Sequence, residues 1–250
     1  MVGWVVPPVP DRDSLVSFVL PAHNEGESLP ILVEEIRDVA AKLGSRYEIV
    51  IVDDGSTDGT ERWLRQEVCA SRDIRGIHLG SNRGQSTALA RGLAASRGEL
   101  VVTMDSDLQN VPADTTALLE ALEHADLACG VRAQRRDGRW KRLGARVANG
   151  VRRRVLDDDF RDVGCAHRAW RRPLTERLLR FEGFHRFVPL LARAEGFRVV
   201  EVPISHRPRR FGRTHYGNLR RALRGTYDLI GVGWFLRRRL EPPAEETEIA

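Results

Sequence analysis

Apolar residues in the first half of the chain come in short runs, and most of these runs end in a polar, often acidic cluster. Leu15-Val16-Ser17-Phe18-Val19-Leu20 reads as a buried strand ending at Pro21, and Glu48-Ile49-Val50-Ile51-Val52 reads as a second. Ile74 to Leu79, Leu100 to Met104 and Leu127 to Gly130 form the third, fourth and fifth. Between strands the spacing turns helical. Leu32, Val33, Ile36, Val39 and Leu43 recur on one face after Ser28, a candidate cap, and Gly44 is placed to stop the helix. Further helices are expected from near Thr57, with Ser56 or Thr57 as N-cap, over Gln85 to Ser96, and from Pro112. Strands and helices alternating at this spacing predict crossover units and a mainly parallel sheet.

The second half has a different texture. Arg132 to Arg154 is dense in arginine and lysine, with Trp140 among them. A short strand is expected near Val163–Ala169, a helix around Phe184–Glu195, and a strand over Phe197 to His206 interrupted by Pro203. Arg207 to Gly217 is a basic loop punctuated by Gly and Pro, and Leu219 to Leu240 is helical in pattern. The organisation expected is an α/β catalytic domain over 14–217, a helix over 218–240 and a Pro/Glu-rich disordered tail over 241–250.

Composition narrows the partners. The 250 residues are 42% apolar, enough to build one large core, and 30% charged, with a formal net charge of +5. A basic balance suits nucleotide sugars, lipid phosphates, an anionic membrane face or nucleic acid, without choosing among them. Cys69, Cys129 and Cys165 are odd in number and lack C-x-x-C spacing, which argues against a disulfide framework or zinc site and points to a reducing compartment. Pro7, Pro8 and Pro10 break up the apolar N-terminus, so no secretory signal is expected. No apolar run approaches the ~18–20 residues that span a bilayer.

Three polar clusters coincide with expected strand ends: His23-Asn24-Glu25, Asp53-Asp54 and Asp105-Ser106-Asp107. In open α/β sheets ligands bind beyond the carboxyl ends of the strands, so this coincidence locates a site. Asp105 and Asp107 put two carboxylates on one turn, a donor set suited to Mg²⁺ or Mn²⁺ bridging a diphosphate, and Gln109 adds a polar contact. Asp53-Asp54-Gly55-Ser56 reads either as a ribose or base contact or as a turn and helix cap. Asn82-Arg83-Gly84 lacks the glycine patterns of dinucleotide and P-loop sites. It is read as close helix–sheet packing by Gly84, Ala88 and Gly92, with Asn82 lining the pocket.

In their order along the chain these elements resemble the family 2 glycosyltransferases, in particular the dolichol-phosphate mannose synthase and bacterial polyprenyl-phosphate glycosyltransferase group. The resemblance runs from Leu15 to Arg238 through Pro21-Ala22-His23-Asn24-Glu25, Val52-Asp53-Asp54-Gly55-Ser56-Thr57-Asp58, Asn82-Arg83-Gly84 and Asp105-Ser106-Asp107-Leu108-Gln109. It implies a GT-A fold, with a Rossmann-like sheet flanked by helices and a C-terminal helical extension. It implies that Pro21, His23, Glu25 and Asp53 contact the nucleotide, with Asp54 and Asn82 beside them. By the same resemblance Asp105, Asp107 and Gln109 hold the metal and diphosphate. His206-Arg207-Pro208-Arg209 and Gly212-Arg213-Thr214-His215-Tyr216-Gly217 resemble the family's basic loop over the donor phosphates, which brings in Arg209, Arg213, Thr214 and Tyr216. The segment from Arg132 to Asn149 resembles the acceptor loop. There Arg132, Lys141, Arg142 and Arg146 are the candidates for the lipid phosphate, and the family's usual serine is absent. Asp162 resembles the aspartate ahead of the family's Ser-Gly-Phe strand.

The activity implied is transfer of one sugar, of mannose or glucose type, from GDP-mannose or UDP-glucose to a polyprenyl phosphate, with inversion and with Mg²⁺ or Mn²⁺. A phosphate monoester is already anionic and needs no strong base. A hydroxyl acceptor on a saccharide or small molecule would need one, and Asp162 is the first candidate. Trp234-Phe235-Leu236 before Arg237-Arg238-Arg239 suits either an interfacial helix end or core packing. Cytoplasmic placement, peripheral at the inner face of the cytoplasmic membrane or beside an integral partner, follows. Nucleic acid is disfavoured as a partner, since three acidic strand ends would repel its backbone.

Overall fold

A computed structural model describes residues 14–132, 150, 152–154, 156, 158–211 and 218–239. Lys141, Arg142, Arg146, Arg213, Thr214, Tyr216 and the tail 241–250 lie outside the described residues. The described residues fall into two compact units, one holding 14–132 and 160–211, the other holding 218–239 and the described part of 150–159.

The first unit is built on seven strands: β1 (Val16–Ala22), β2 (Tyr47–Asp53), β3 (Ile74–His78), β4 (Leu100–Thr103), β5 (Leu127–Arg132), β6 (Arg168–Arg171) and β7 (Val199–Ile204). Their order across the sheet is β3-β2-β1-β4-β6-β5-β7. β1 lies parallel to β2 and β4, and β2 parallel to β3, so β1, β2 and β4 deliver their carboxyl ends side by side. β6 runs antiparallel to both β4 and β5, and β5 pairs in parallel with β7. This mainly parallel sheet flanked by helices is the GT-A architecture expected from the sequence.

The helices are α1 (Leu29–Leu43), α2 (Thr60–Ala70), α3 (Gln85–Ala95), α4 (Thr115–Glu120), α5 (Arg172–Arg177) and α6 (Val188–Ala194). Alternation along β1 sends Val16, Phe18, Leu20 and Ala22 to one face, where they join Leu29, Leu32, Val33 and Ile36 of α1, Leu64 of α2 and Leu118 of α4 in a single buried cluster. Val19 points to the other face, against α3. There a Cβ on Gly92 would overlap the Val19 side chain, so the helix lies against the sheet only because that position is bare. Gly84 does not share this packing role: nothing approaches its Cβ position, and its φ of +89° explains the glycine instead.

Several boundaries differ from the expected ones. α2 begins at Thr60, not near Thr57, and Asp58 rather than Ser56 or Thr57 serves its first turn, with Oδ1 accepting from Thr60 N at 2.8 Å. Ser28 makes no side-chain cap bond; its hydroxyl donates to Glu25 instead. The strand expected near Val163–Ala169 lies at Arg168–Arg171, and the helix expected at Phe184–Glu195 splits into a 3₁₀ turn, Phe184–Arg186, followed by α6. β6 hides in the sequence because it buries two arginines. Arg168 donates to the carbonyls of His185 and Val163, and Arg171 to that of Leu122, which lets both sit inside beside fully buried Trp170. Pro203 is tolerated because β7 is an edge strand.

In the second unit α7 (Asn218–Arg238) exposes Tyr227, Ile230 and Trp234, spaced i, i+3, i+7, while Leu229 and Val232 are buried. Among the described residues no helix is long and apolar enough to cross a membrane.

The close approach at Gly92 is directly testable. Gly92→Ala is expected to destabilise the fold by about 1–3 kcal/mol through overpacking against Val19. Urea unfolding, with an unchanged slope and a lower midpoint, is the measurement.

Candidate active site

The loops after β1 and β2 are stitched into one surface. Asn24 adopts φ +56°, a left-handed conformation that asparagine tolerates, and this turns its amide towards the neighbouring loop. Its Oδ1 accepts from Thr57 N at 2.8 Å, and its own N–H donates to Ser56 Oγ at 2.8 Å. Glu25 N donates to Thr60 Oγ1 at 3.0 Å, and Gly26 N to Asp58 Oδ2 at 3.1 Å. His23 Nδ1 lies 2.9 Å from the Asp54 carbonyl. A carbonyl only accepts, so that nitrogen carries the proton. Pro21 offers its carbonyl to the Ser106 hydroxyl at 2.8 Å, tying the β1 end to the acidic turn after β4.

Asp53 and Asp54 are both built into this scaffold. Asp53 has no exposed surface. Its Oδ1 accepts from the Ser56 N–H at 3.0 Å and from the Ser56 hydroxyl, and its Oδ2 pairs with His78 Nδ1 at 2.8 Å. Asp54 accepts from the N–H groups of Arg83 at 2.7 Å and Gly84 at 2.8 Å, so a protein carboxylate already occupies the start of α3. Gly55, at φ +63°, lets the backbone of Ser81 and Asn82 pass where a Cβ would stand. Asn82 itself is exposed, its Oδ1 accepting from Gly84 N at 3.1 Å.

The acidic turn carries the sharpest electrostatics. Asp107 is held on both sides: Oδ1 accepts from Gln109 N at 3.1 Å, and Oδ2 pairs with Arg209 Nη2 at 2.8 Å. The same Nη2 lies 3.6 Å from Glu25 Oε1. Asp105 keeps part of its surface at the opening, accepts from Gln85 Nε2 at 2.7 Å, and has its N–H bound to Asn110 Oδ1 at 3.1 Å. Loss of water around Asp105, followed by repulsion from Asp107, pushes its carboxyl up to about 6, against the pull of Arg168, Arg132 and Arg209. Burial likewise raises Glu25. Leu108, directly after Asp107, reaches φ +62°, a strained conformation for a leucine, which this turn imposes.

Two like-charged carboxylates on one turn fit a divalent ion better than they fit each other. Among the described residues no three His, Cys, Asp or Glu side chains converge, so a metal here would take two protein carboxylates and draw its other ligands from diphosphate and water, the usual habit of Mg²⁺. Gln109 also meets the stretch after β7: its Nε2 is 3.5 Å from the Arg207 carbonyl, and its main-chain carbonyl accepts from Arg207 N at 2.9 Å.

Arg132 and Asp162, foreseen in separate roles, meet as a bidentate pair, with Nε–Oδ2 2.6 Å and Nη2–Oδ1 2.8 Å. Asp162 and Asp105 both raise the Arg132 guanidinium's affinity for its proton. The sequence reading passed over His78, Gln85 and Asn110. His78 closes β3 as Asp53 closes β2, and the two are register partners, so its place at a strand end was the available signal.

Residues 17–179 match the family described as Glycosyl transferase family 2. The chain belongs to that family. It is 35% identical over 217 residues to an undecaprenyl-phosphate 4-deoxy-4-formamido-L-arabinose transferase of Pectobacterium atrosepticum, covering 86% of this chain and 66% of the relative. The Pseudomonas aeruginosa protein of the same name is 36% identical over 220 residues, covering 86% and 64%. The chain thus spans just under two thirds of these relatives' length. Among solved structures, glucosyl-3-phosphoglycerate synthase of Mycobacterium tuberculosis with Mn²⁺, UDP-glucose and phosphoglyceric acid superposes with a TM-score of 0.66 at 21% identity, covering 98% of this chain and 87% of that one. The same synthase was solved with Mg²⁺ and UDP, with a TM-score of 0.64 at 22% identity and coverage of 98% and 86%. At this identity the likeness establishes the fold.

In this family 2 glycosyltransferase the raised Asp105 has a measurable consequence. Its carboxyl moves from 3.8 to about 6, so the folded protein holds that proton more tightly than the unfolded chain does, and stability falls as pH rises between those values. The penalty is fully present above about pH 6 and absent below about pH 4. Asp105→Asn, assayed without divalent ions, is therefore expected to melt a few degrees higher than wild type at pH 7.5, with the gap closing towards pH 4. Melting curves across that range check it.

Proposed function

We propose that this protein is an inverting, metal-dependent glycosyltransferase that moves a single sugar from a nucleotide-sugar donor to a polyprenyl phosphate. The observation that carries this reading is the bidentate Arg132–Asp162 pair beside the acidic turn. A carboxylate clasped by a guanidinium is a poor base, so Asp162 is ill placed to deprotonate a sugar hydroxyl. An acceptor that is already an anion needs no such help, and Arg132 offers it a cation. The names of the curated relatives, which act on undecaprenyl phosphate, support the same acceptor class. The UDP complexes among the structural neighbours favour a uridine nucleotide over GDP-mannose.

In this reading Pro21, His23 and Glu25 border the nucleotide, and the scaffold of Asp53 and Asp54 keeps their loops in place. Asp105 and Asp107 would hold Mg²⁺ or Mn²⁺, which would neutralise the charge that grows on the departing diphosphate. Arg209 adds a charge-assisted donor to the same diphosphate. An acceptor phosphate oxygen attacks the anomeric carbon from the face opposite the diphosphate, the C–O bond to the nucleotide breaks, and the anomeric configuration inverts. Asp162 acts by positioning Arg132.

Asp162→Asn separates the acceptor classes. It is expected to lower kcat/KM about tenfold or less, because only the orientation of Arg132 suffers; a lost general base would cost about 10²–10⁴. Turnover with undecaprenyl phosphate and labelled UDP-sugar is the assay, and a pH–rate profile that keeps its shape in the variant accompanies the expected result. A loss of a thousandfold would move the acceptor to a hydroxyl compound.

The lipid acceptor requires contact with a membrane, and α7 supplies a candidate face. Tyr227, Ile230 and Trp234 are exposed on one stripe that runs into exposed Arg237 and Arg238, an arrangement suited to the headgroup zone of an anionic bilayer at the cytoplasmic side. Phe235 and Leu236 are partly buried and contribute less. Sedimentation with vesicles of mixed neutral and anionic lipid tests this. The Tyr227→Ser/Ile230→Ser/Trp234→Ser protein is expected to bind at least about tenfold more weakly than wild type, with its melting temperature unchanged.

A further inference from the structure

Arg209 has an unusual set of partners. It stands on the stretch that follows β7, and that stretch is pinned two residues earlier. Arg207 grips Glu35 of α1 through two bonds of 2.8 and 2.9 Å, its N–H donates to the Gln109 carbonyl at 2.9 Å, and His206 bridges to Asn110. With the backbone anchored this way, the Arg209 side chain can reach only a small region, and it reaches carboxylates. Its hydrogen bond goes to Asp107 Oδ2 at 2.8 Å, and Glu25 Oε1 stands 3.6 Å from the same nitrogen. The guanidinium remains about a third exposed while Asp107 is nearly buried, so the cation is free to move and the anion is not.

Asp107 is also one of the two carboxylates assigned to the metal. A guanidinium on Oδ2 and a divalent ion on that oxygen exclude one another, by geometry and by charge. We propose that Arg209 is an exchangeable counter-ion that holds the Asp107 seat until a metal-bound diphosphate arrives, then passes from the carboxylate to the phosphate as the metal takes its place. The exchange conserves charge pairing throughout: one cation leaves the carboxylate, another replaces it, and the displaced one meets the new anion. Glu25 is the way-station that keeps the guanidinium at the rim of the site. The consequence is thermodynamic coupling. Metal alone must push Arg209 off Asp107 onto the single carboxylate of Glu25, and diphosphate alone must pull it off Asp107, but the two together satisfy every partner. A free divalent ion is therefore bound weakly, and the nucleotide sugar recruits it.

This inference rests on the reading of Asp105 and Asp107 as the metal–diphosphate site, and one set of titrations tells the two apart. Binding of Mn²⁺ is followed by the loss of the free-ion electron paramagnetic resonance signal, with and without UDP, for wild type, Arg209→Gln, Arg209→Lys and Asp107→Asn. Arg209→Gln is expected to bind Mn²⁺ alone about three- to tenfold more tightly than wild type, and UDP more weakly, so that UDP tightens Mn²⁺ binding by a correspondingly smaller factor. Arg209→Lys retains a cation at the seat and is expected to bind Mn²⁺ alone as wild type does, which guards against a folding effect of the glutamine. If Arg209→Gln binds Mn²⁺ alone no better than wild type, the exchange is wrong while the site stands. If wild type takes up no Mn²⁺ even with UDP, or Asp107→Asn titrates like wild type, the site itself is wrong and the exchange falls with it.

Discussion

Two carboxylates at the end of one buried strand are a liability unless something positive is near, and the arrangement around them follows from that. Asp105 and Asp107 follow β4, the strand next to β1 in the middle of the sheet, where Asp107 is buried and Asp105 keeps only part of its surface. Their repulsion contributes to lifting Asp105 to about 6. The cations that answer come from remote parts of the chain: Arg132 at the end of β5, Arg168 opening β6, and Arg209 after β7. The sheet order makes this possible by setting β6 beside β4 and β5 beside β6, so three separate segments bring arginines towards one acidic turn. Three arginines gathered around a pair of anions suit the proposed metal–diphosphate ligand, whose phosphates would meet the guanidiniums.

The loops after β1, β2 and β3 rest on a different principle. Here the acidic residues are consumed by structure: Asp53 secures Ser56 and His78, Asp54 secures the start of α3, and Asp58 secures the loop after β1 to the first turn of α2. These three aspartates hold three loops in one surface at the carboxyl edge. Pro21, His23 and Glu25, the proposed nucleotide contacts, stand on the first of these loops and keep part of their surface exposed.

Much of this was legible in the sequence. β1, β2 and β4 announce themselves as apolar runs because both faces are covered, and the acidic clusters mark their ends because polar residues cannot continue inward. The GT-A fold and the family followed from the order of those clusters. The second half was harder for physical reasons. β6 reads as basic and therefore exposed, yet its arginines are buried against backbone carbonyls that no local pattern reveals. The partners of Asp162 and Asp53, Arg132 and His78, lie 30 and 25 residues away in sequence. Side-chain pairing across strands is invisible to periodicity.

Crystals of the protein grown with UDP and Mn²⁺ and measured at the manganese absorption edge would locate the ion. An anomalous peak is expected within coordination distance of carboxylate oxygens from both Asp105 and Asp107 and of the UDP diphosphate, with the Arg209 guanidinium turned from Asp107 to a phosphate oxygen. A manganese peak bound elsewhere, or UDP seated with those two carboxylates untouched, would contradict it.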